Sequence, residues 1–367
     1  MPVPMLTKPV IVALLIVSVV IAFASCSTET EAPPSYGDLI EELSEEGGYF
    51  DTDNLISNET AYVQVVEDLE PTGGVYIGVG PEQNFHYIGR LRPSWAFIVD
   101  VRRDNMLHHL LLNALLAEAE TPAEYLCGLF SRSCELPSKF EDFHAVVAAV
   151  DAATPDEDLY RRNLKIVFDH VENRLELPLS DDDRHTIELI YRAYFEEQLG
   201  LRFRSHGRRP VPHYPTYRRL LTAEGSDGSL GHFLSRPDDY AFVRELADSG
   251  RLVPVVGDFA GEHALRRIGR FVEEQGETVT AFYVSNVEFY LIRSGVFPTY
   301  VDNVRALPLA DSAQFIRAYF SYGYPHPEAL PGHRSTLVRQ KMKRFLELYD
   351  DGAFRNYWDV STLDYEP

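Results

Sequence analysis

The stretch Gly73-Gly-Val-Tyr-Ile-Gly-Val-Gly80 is a short apolar segment that runs into glycines. Val, Tyr and Ile favour a strand, and glycines at its end let the backbone turn tightly beside a ligand. A helical pattern follows from Pro81 to Arg90, and proline is favoured in the first turn of a helix. A strand, a glycine turn and a helix in this order predict the first unit of a parallel α/β sheet, with a turn of the nucleotide-binding type.

Three further apolar runs continue this pattern along the chain. Strands are predicted for Trp95-Ala-Phe-Ile-Val-Asp100, Leu252-Val-Pro-Val-Val256 and Val279-Thr-Ala-Phe-Tyr-Val284, because unbroken apolar runs are typical of strands buried on both faces. One helix is predicted from Glu262 to Gln275, and another near the end of the chain from Ser335 to Tyr349. Strands that alternate with helices predict a parallel sheet with helices on both faces.

The segment from about residue 121 to residue 250 has a mostly helical, amphipathic pattern. It separates the second predicted strand from the third by many more residues than one βα unit requires. The predicted fold class is therefore α/β, a Rossmann-like and mostly parallel sheet with a large helical insertion between its second and third strands. This domain is expected over residues 61–367, after a tether and short helix over residues 27–60.

Residues 1–26 have the pattern of an export segment. Lys8 precedes an apolar run from Pro9 to Ala24 that is short for a bilayer span but suits a signal peptide. The run ends in Phe23-Ala-Ser-Cys26, which resembles a bacterial lipobox, so Cys26 is expected to be lipidated; plain cleavage or an uncleaved anchor remain alternatives. The expected partner of this segment is the membrane, with the body exported to the periplasmic or outer-surface side.

The formal net charge of −22 over 367 residues restricts the partners of the chain. A body this acidic repels phosphate backbones, so no nucleic-acid partner is expected. The nearest basic cluster, Arg202-Phe-Arg-Ser-His-Gly-Arg-Arg209, is interpreted as solvated surface. Cys127 and Cys134 form either a disulfide across a short loop or two unrelated small apolar positions. No zinc-type spacing occurs, so no metal site is predicted.

Glycines and polar residues follow each of the four predicted strands. They are Gly78 and Gly80, then Asp100, then Asp258 and Phe259, and finally Ser285, Asn286 and Glu288. Ligands bind at the carboxyl ends of the strands in open parallel sheets, so these residues are expected to surround one cleft. Asp100 lies 20 residues past Gly80, where a carboxylate accepts the hydroxyls of a ribose. The acids have a second interpretation, in which they cap the helices or turns that follow them.

In this order the residues resemble the class I S-adenosylmethionine-dependent methyltransferases. The resemblance rests on Val75-Tyr-Ile-Gly-Val-Gly80, Asp100, Gly257-Asp-Phe259 and Ser285-Asn-Val-Glu288. It implies a sheet in which the third strand lies at an edge. Pro254 agrees with that position, because proline breaks the ladder of a central strand but is tolerated at an edge.

The resemblance implies S-adenosylmethionine as the cofactor and assigns residues to its parts. The implied cofactor-binding residues are Gly78, Gly80, Asp100, Asp258, Phe259 and Ser285. The glycines would lie at the methionine part, Asp100 at the ribose and Asp258 at the adenine. Asn286 and Glu288 would be catalytic residues that face the substrate. Gly73–Arg103 and Pro254–Leu291 are also similar to a group of uncharacterised bacterial proteins, which implies no function.

Two features depart from the methyltransferase pattern. Glu82 and Gln83 stand where glycine-loop motifs have their last glycine, and an acid at 82 would lie close to the carboxylate of the cofactor. An exported domain would also not meet S-adenosylmethionine, which is made and kept in the cytoplasm. Two hypotheses therefore stand: a membrane-anchored methyltransferase with an unknown acceptor, or a non-catalytic lipid-anchored protein whose cleft binds a small polar ligand or a protein partner.

Overall fold

The computed structural model describes Met1 and residues 35–135, 142–206, 214–321 and 324–366. Pro34–Pro367 form one compact unit. The predicted export segment, the lipidation candidate Cys26 and the first part of the tether lie outside the described residues. Within the described residues, no helix combines the length and the apolar composition needed to cross a membrane.

The described strands form one six-stranded sheet in the order β3-β2-β1-β4-β5-β6. They are β1 (Val75–Gly78), β2 (Trp95–Asp100), β3 (Leu252–Val256), β4 (Val279–Ser285), β5 (Leu309–Phe320) and β6 (Ser335–Lys341). Neighbouring strands from β3 to β5 pair in parallel, and only β6 runs antiparallel to its neighbour β5. The predicted α/β class with a mostly parallel sheet is confirmed.

Helices precede, separate and follow these strands. They are α1 (Tyr36–Leu43), α2 (Val63–Val66), α3 (Asn84–Leu91), α4 (Arg103–Glu118), α5 (Pro122–Leu129), α6 (Phe143–Ala152), α7 (Glu157–Asp169), α8 (Asp181–Glu197), α9 (Tyr217–Leu221), α10 (Pro237–Asp248), α11 (Ala264–Glu274), α12 (Val287–Ser294), α13 (Phe297–Arg305), α14 (Met342–Asp350) and α15 (Tyr357–Thr362). Helices α4 to α10 all lie between β2 and β3 in the chain. Within α4, every residue from Asn105 to Leu116 is buried, so this helix is enclosed rather than amphipathic.

Strands β1 and β3 are fully buried, as expected where both faces of a parallel sheet are covered. All four residues of β1 and all five residues of β3 are buried. Pro254 lies opposite Ile98 of β2, and β3 has its other side free of any described strand. The missing N–H of Pro254 therefore removes no ladder bond from a central strand, which confirms the edge position predicted from the sequence.

The end of the chain differs from the prediction. The helix expected from Ser335 to Tyr349 is in fact β6 followed directly by α14. The helical spacing of Val338, Met342 and Phe345 spans the junction, so periodicity alone merged two elements. The preceding strand β5 was not predicted, because its first residues are exposed or only partly buried and Asp311 and Arg317 interrupt its apolar pattern.

A disulfide joins Cys127, near the end of α5, to Cys134, with 6.1 Å between their Cα atoms. The structure therefore selects the bridge over the alternative of two unrelated apolar positions. The backbone N–H of Arg132 donates to the carbonyl of Cys127, so a tight turn already holds the loop between the two cysteines. The bridge closes a turn that directly follows α5 and leads towards α6.

Candidate functional site

The carboxyl ends of β1 to β4 open onto a cavity of about 360 Å³. Its lining includes six of the eight residues predicted from the sequence: Gly80, Asp100, Asp258, Phe259, Ser285 and Asn286. They meet there because the carboxyl ends of neighbouring parallel strands lie at the same edge of the sheet. We call this space the strand-end cavity.

Residues 44–59, which we call the strap, cross the strand ends before the chain enters the sheet. The N–H of Glu45 donates to the carbonyl of Val256 (2.9 Å), and the N–H of Gly48 donates to the carbonyl of Val101 (2.7 Å). The sequence places these residues in the tether, but in the structure they form one wall of the strand-end cavity. The polar composition of the strap therefore reflects a position at the mouth of the cavity rather than a free linker.

Glu59, the last residue of the strap, lines the cavity although its side chain is almost fully buried. Its carboxylate accepts hydrogen bonds from Nε2 of Gln83 (2.7 Å), from the hydroxyl of Tyr283 (2.9 Å) and from the hydroxyl of Ser285. Burial raises the pKa of Glu59, and the three hydrogen bonds oppose that rise. Sequence reasoning missed Glu59, because it precedes the first strand and belongs to no motif.

Ser285 and Asn286 occupy the turn between β4 and α12. Ser285 has a φ of +49°, in the left-handed region that costs about 1–3 kcal/mol for a residue other than glycine. Its hydroxyl is bonded to Glu59, so the strained residue directs its side chain towards the cavity acid. Asn286 directly precedes α12 in the capping position, yet its side chain makes no capping hydrogen bond. Helix capping therefore does not account for Asn286, which is half-buried at the cavity.

Asp100 lines the cavity but is already bonded within the protein. Nε and Nη2 of Arg102 donate to its two carboxylate oxygens at 3.2 and 3.1 Å. Nη1 of Arg102 in turn donates to the carbonyls of Thr52 and Asp53 in the strap. Asp100 thus holds the strap in place through Arg102. The backbone N–H of Arg102 also donates to Oδ1 of Asp100 (3.0 Å). A carboxylate has about four lone-pair sites, so about one remains for a ligand.

Asp258 and Phe259 follow β3 at the edge of the cavity. Asp258 is exposed; its Oδ1 accepts from the N–H of Ala260 (2.8 Å). The side chain therefore shapes the turn, as the capping interpretation expects, and leaves Oδ2 towards solvent or a ligand. The ring of Phe259 is mostly buried and packs against Phe282 and Tyr300, with ring centroids 4.9 and 6.1 Å apart. Only the remaining part of that ring lines the cavity.

Gly78 does not line the cavity, in contrast to the expectation from the sequence. A β-carbon at this position would lie 1.9 Å from Oδ1 of Asn84, the first residue of α3. The amide of Asn84 donates to the carbonyls of Val79 and Pro81 and so holds the turn together. Gly78 is required for this close packing of turn and helix, and Gly80 is the glycine of the pair that reaches the cavity.

Glu288 also lies elsewhere than expected, because its side chain is fully buried below the turn and does not line the cavity. Its carboxylate accepts from Nε of Arg317 at 2.5 Å and from Nη2 at 3.2 Å. The hydroxyl of Tyr300 donates to it as well (3.2 Å). A carboxylate held by three donors inside the protein has a structural position, and it does not face a substrate.

Glu82 does not line the cavity, so it would not lie beside the carboxylate of a ligand there, as the sequence suggested. It is buried, and its Oε1 lies 3.7 Å from Nε2 of His232. Burial raises the pKa of Glu82 to about 7, and the nearby hydroxyl of Tyr217 opposes the rise. Burial also lowers the pKa of His232 to about 3, so this histidine is neutral beside Glu82.

The lining of the strand-end cavity combines acids with aromatic rings. The acids are Asp51, Glu59, Asp100 and Asp258. The aromatic residues are Tyr49, Phe50, Phe203, Tyr214, Phe259, Tyr283, Tyr290 and Phe320. No Lys, Arg or His occurs among the described residues that line it. Carboxylates and aromatic faces both attract cations, so this lining favours a positively charged ligand and disfavours phosphates.

The comparisons with known proteins agree with the extent of this domain and assign no activity to it. A family model described as a domain of unknown function, DUF7790, matches residues 54–361. The match begins inside the strap and ends in α15, so it includes the whole sheet and Glu59. No curated protein matches the chain. Within the described residues, no group of three or more His, Cys, Asp or Glu side chains could hold a metal ion.

Proposed function

The chain belongs to the DUF7790 family. We propose that its strand-end cavity binds S-adenosylmethionine or a closely related organic cation. The observation that carries the proposal is the lining of acids and aromatic rings, without a basic side chain among its described members. S-adenosylmethionine is a sulfonium cation that contains no phosphate. Dinucleotides and nucleoside triphosphates carry phosphates, and no basic side chain among the described lining residues would pair with them.

The residues at the strand ends fit the parts of such a ligand in the order that the resemblance implies. Gly80 would lie beside the methionine part, the Asp100–Arg102 pair beside the ribose, and Asp258 beside the adenine. Ser285 and Asn286 would lie near the reacting end. The strand order, with β3 at one edge and an antiparallel β6 at the other, supports a Rossmann-like sheet of the methyltransferase type. In that arrangement, residues 121–250 are a helical insertion.

In the catalytic version of this proposal, the ligand supplies a methyl group on a positively charged sulfur. The chain supplies Glu59, whose carboxylate lies at the cavity wall and whose pKa burial raises. A carboxylate with a raised pKa accepts a proton more readily near neutral pH, which suits the deprotonation of a methyl acceptor. Asn286 would orient that acceptor through its side-chain amide, which makes no helix-capping hydrogen bond.

The alternative is a non-catalytic protein that binds a small polar ligand or a protein partner in the same cavity. One contact favours it: both oxygens of Asp100 already accept hydrogen bonds from Arg102. The proposed location outside the cytoplasm, with an anchor at Cys26, favours it too, because the cofactor is made inside the cell. The catalytic version requires S-adenosylmethionine and transfer of its methyl group, whereas the alternative requires only that the cavity binds a small polar ligand or a protein partner.

Isothermal titration of the full-length chain with S-adenosylmethionine tests the proposal. We expect a dissociation constant in the micromolar range, weakened about tenfold by Asp258→Asn, which removes a charge at the cavity. An Asn side chain can still accept from the N–H of Ala260, so the turn is kept. The control is Asp311→Asn, which removes an exposed charge on β5 that pairs with Lys343.

Asp311→Asn is expected to leave the affinity unchanged. No saturable binding up to about 1 mM ligand would contradict the S-adenosylmethionine proposal and leave the alternative. Equal weakening by Asp258→Asn and Asp311→Asn would mean that net charge, rather than the cavity, controls the affinity. Transfer of a labelled methyl group to a cell extract then distinguishes the catalytic from the non-catalytic version.

A further inference from the structure

A second cavity, of about 290 Å³, has the opposite charge to the first. Arg202, Arg219 and Arg334 line it, and no Asp or Glu occurs among its described lining residues. The chain as a whole has 56 acidic and 34 basic residues, so three arginines around an acid-free pocket are unusual here. We call this space the arginine pocket.

The three arginines of the pocket differ in their ion pairs from other arginines nearby in the chain. Adjacent arginines form ion pairs with acids: Arg204 with Glu197, Arg218 with Asp151, and Arg339 with Asp68. By contrast, Arg202, Arg219 and Arg334 form no ion pair with any acid in the described part of the chain. Their positive charges are therefore not neutralised by the protein around them.

Backbone contacts orient two of these guanidinium groups. Nη1 of Arg202 donates to the carbonyl of Tyr214 at 2.5 Å, and Nη2 of Arg219 donates to the carbonyl of Gly332 at 3.1 Å. Each guanidinium has five N–H donors, so most of them remain available to a ligand. The planar fork of a guanidinium matches two oxygens of a phosphate, and the hydroxyl of Ser321 adds a donor to the lining.

The arginine pocket adjoins the strand-end cavity. Asn58, Tyr214 and Phe320 line both spaces. Thr60 lines the arginine pocket, and the preceding residue Glu59 lines the strand-end cavity. The two spaces are therefore neighbours, and Thr60 and Glu59, consecutive in the chain, line one of them each.

We propose that the arginine pocket binds the phosphate group of a phosphorylated ligand. The phosphate site is independent of the proposed function. A second step rests on that function: the rest of this ligand reaches the strand-end cavity, as the methyl acceptor or as the partner of the bound cation. Two adjoining cavities of opposite charge can hold a cation and an anion side by side. The bound phosphate offsets the repulsion between the arginines and the cation, and the bound cation offsets the repulsion between the acids and the phosphate.

Phosphate binding to the full-length chain is measured without S-adenosylmethionine, by titration with inorganic phosphate at constant ionic strength. We expect saturable binding that Arg334→Gln and Arg219→Gln each weaken about tenfold, because each variant removes one charged donor. The matched control is Arg270→Gln on α11. Arg270 is exposed and donates to a backbone carbonyl, as Arg219 does, but it lies outside the pocket lining.

Glycerol phosphate and vesicles of phosphatidylcholine with phosphatidic acid distinguish the source of the phosphate. Arginine-dependent binding of glycerol phosphate supports a soluble ligand, and arginine-dependent binding of the vesicles alone supports a lipid head group. Absence of saturable phosphate binding, or equal weakening by Arg270→Gln, would overturn the phosphate site. Titration of Arg334→Gln with S-adenosylmethionine keeps the two proposals apart, because its affinity for the cation is expected to remain.

Discussion

Glu59 and Glu82 flank the glycine turn as two buried carboxylates with different surroundings. Glu59 accepts from Gln83, Tyr283 and Ser285, whereas Oε2 of Glu82 has no hydrogen-bond partner within the described residues. Burial raises the pKa of both, that of Glu82 to about 7. Charge on Glu82 is therefore unfavourable in the folded state, and its protonation near neutral pH affects stability more than ligand binding.

Glu82→Gln should make the stability of the protein less dependent on pH. The folded pKa of Glu82, about 7, is above the reference value of 4.5, so folding favours the protonated acid. The stability that this contributes is complete below about pH 4.5 and is lost as the pH rises through 7. Relative to the unaltered chain, Glu82→Gln should gain about 2–3 kcal/mol between pH 5 and pH 8.

Urea unfolding at these two pH values measures the effect of Glu82→Gln. The control is Glu274→Gln, which alters an exposed acid at the end of α11. An unchanged pH dependence in Glu82→Gln would show that this carboxyl is already ionised at low pH in the folded protein.

Asp100→Ala should destabilise the fold by about 3–5 kcal/mol, because Arg102 would be left buried without its charged partner. The side chain of Arg102 is only 4% exposed, and it also holds Thr52 and Asp53 of the strap. Urea unfolding measures the loss. Asp258→Asn, at an exposed position of the same cavity, should change the free energy of unfolding by less than about 0.5 kcal/mol. Equal stability of the two variants would contradict the structural role of the Asp100–Arg102 pair.

The buried pair of Glu288 and Arg317 joins α12 to β5 and β6. Glu288 belongs to α12, Arg317 to β5, and Nη1 of Arg317 donates to the side chain of Gln340 in β6 (2.8 Å). The guanidinium also lies over the ring of Phe315, 4.4 Å from its centroid. These contacts fix α12, and with it the turn of Ser285, against the antiparallel end of the sheet.

Glu288→Gln should lower the free energy of unfolding by about 3 kcal/mol, because the charge of Arg317 then lacks its counter-charge. The affinity of the folded protein for a ligand in the strand-end cavity should stay the same. Asn286→Ala is the matched comparison on the same turn, with the opposite pattern: weaker ligand binding and a small change in stability. Unfolding and titration of both variants separate these roles, and a Glu288→Gln variant of normal stability would contradict the structural assignment.

The charge of the molecule is distributed unevenly between its two adjoining cavities. The net charge is −22, and the strand-end cavity shares this sign, whereas the adjoining arginine pocket does not. An acidic body attracts organic cations over long distances and repels free phosphates, so phosphate binding requires the local arginines. On the two proposals above, the acidic cavity and the basic pocket select ligands of opposite charge.

Cys26→Ala should release the protein from the membrane fraction if the export segment carries a lipid at this cysteine. Fractionation of cells, followed by immunoblotting, measures the distribution, and incorporation of labelled palmitate reports the acylation directly. Cys134→Ala is the matched control, because it removes a cysteine of the disulfide and leaves the proposed lipidation site intact. Lipidation would be contradicted if Cys26→Ala stays in the membrane fraction and the unaltered chain takes up no label. That result would indicate an uncleaved anchor.

Much of this architecture follows from patterns that are local in the chain. The glycine turn after β1 and the apolar runs of β2 to β4 could be predicted, because backbone preferences and alternating elements are properties of short segments. The edge position of β3 was implied by the resemblance to the methyltransferases, and Pro254 agrees with it. The same holds for six of the eight predicted site residues, since any residue that directly follows a parallel strand lies at one edge of the sheet.

Contacts between distant segments could not be predicted in this way. Glu59 is separated from Tyr283 and Ser285 by 224 and 226 residues, and nothing near Glu59 in the chain indicates that it joins them. The same applies to the strap over the strand ends, the burial of Glu288 by Arg317, and the convergence of Arg202, Arg219 and Arg334. Folding decides these contacts, because the energy of a buried charge depends on which distant groups surround it and not on its neighbours in sequence.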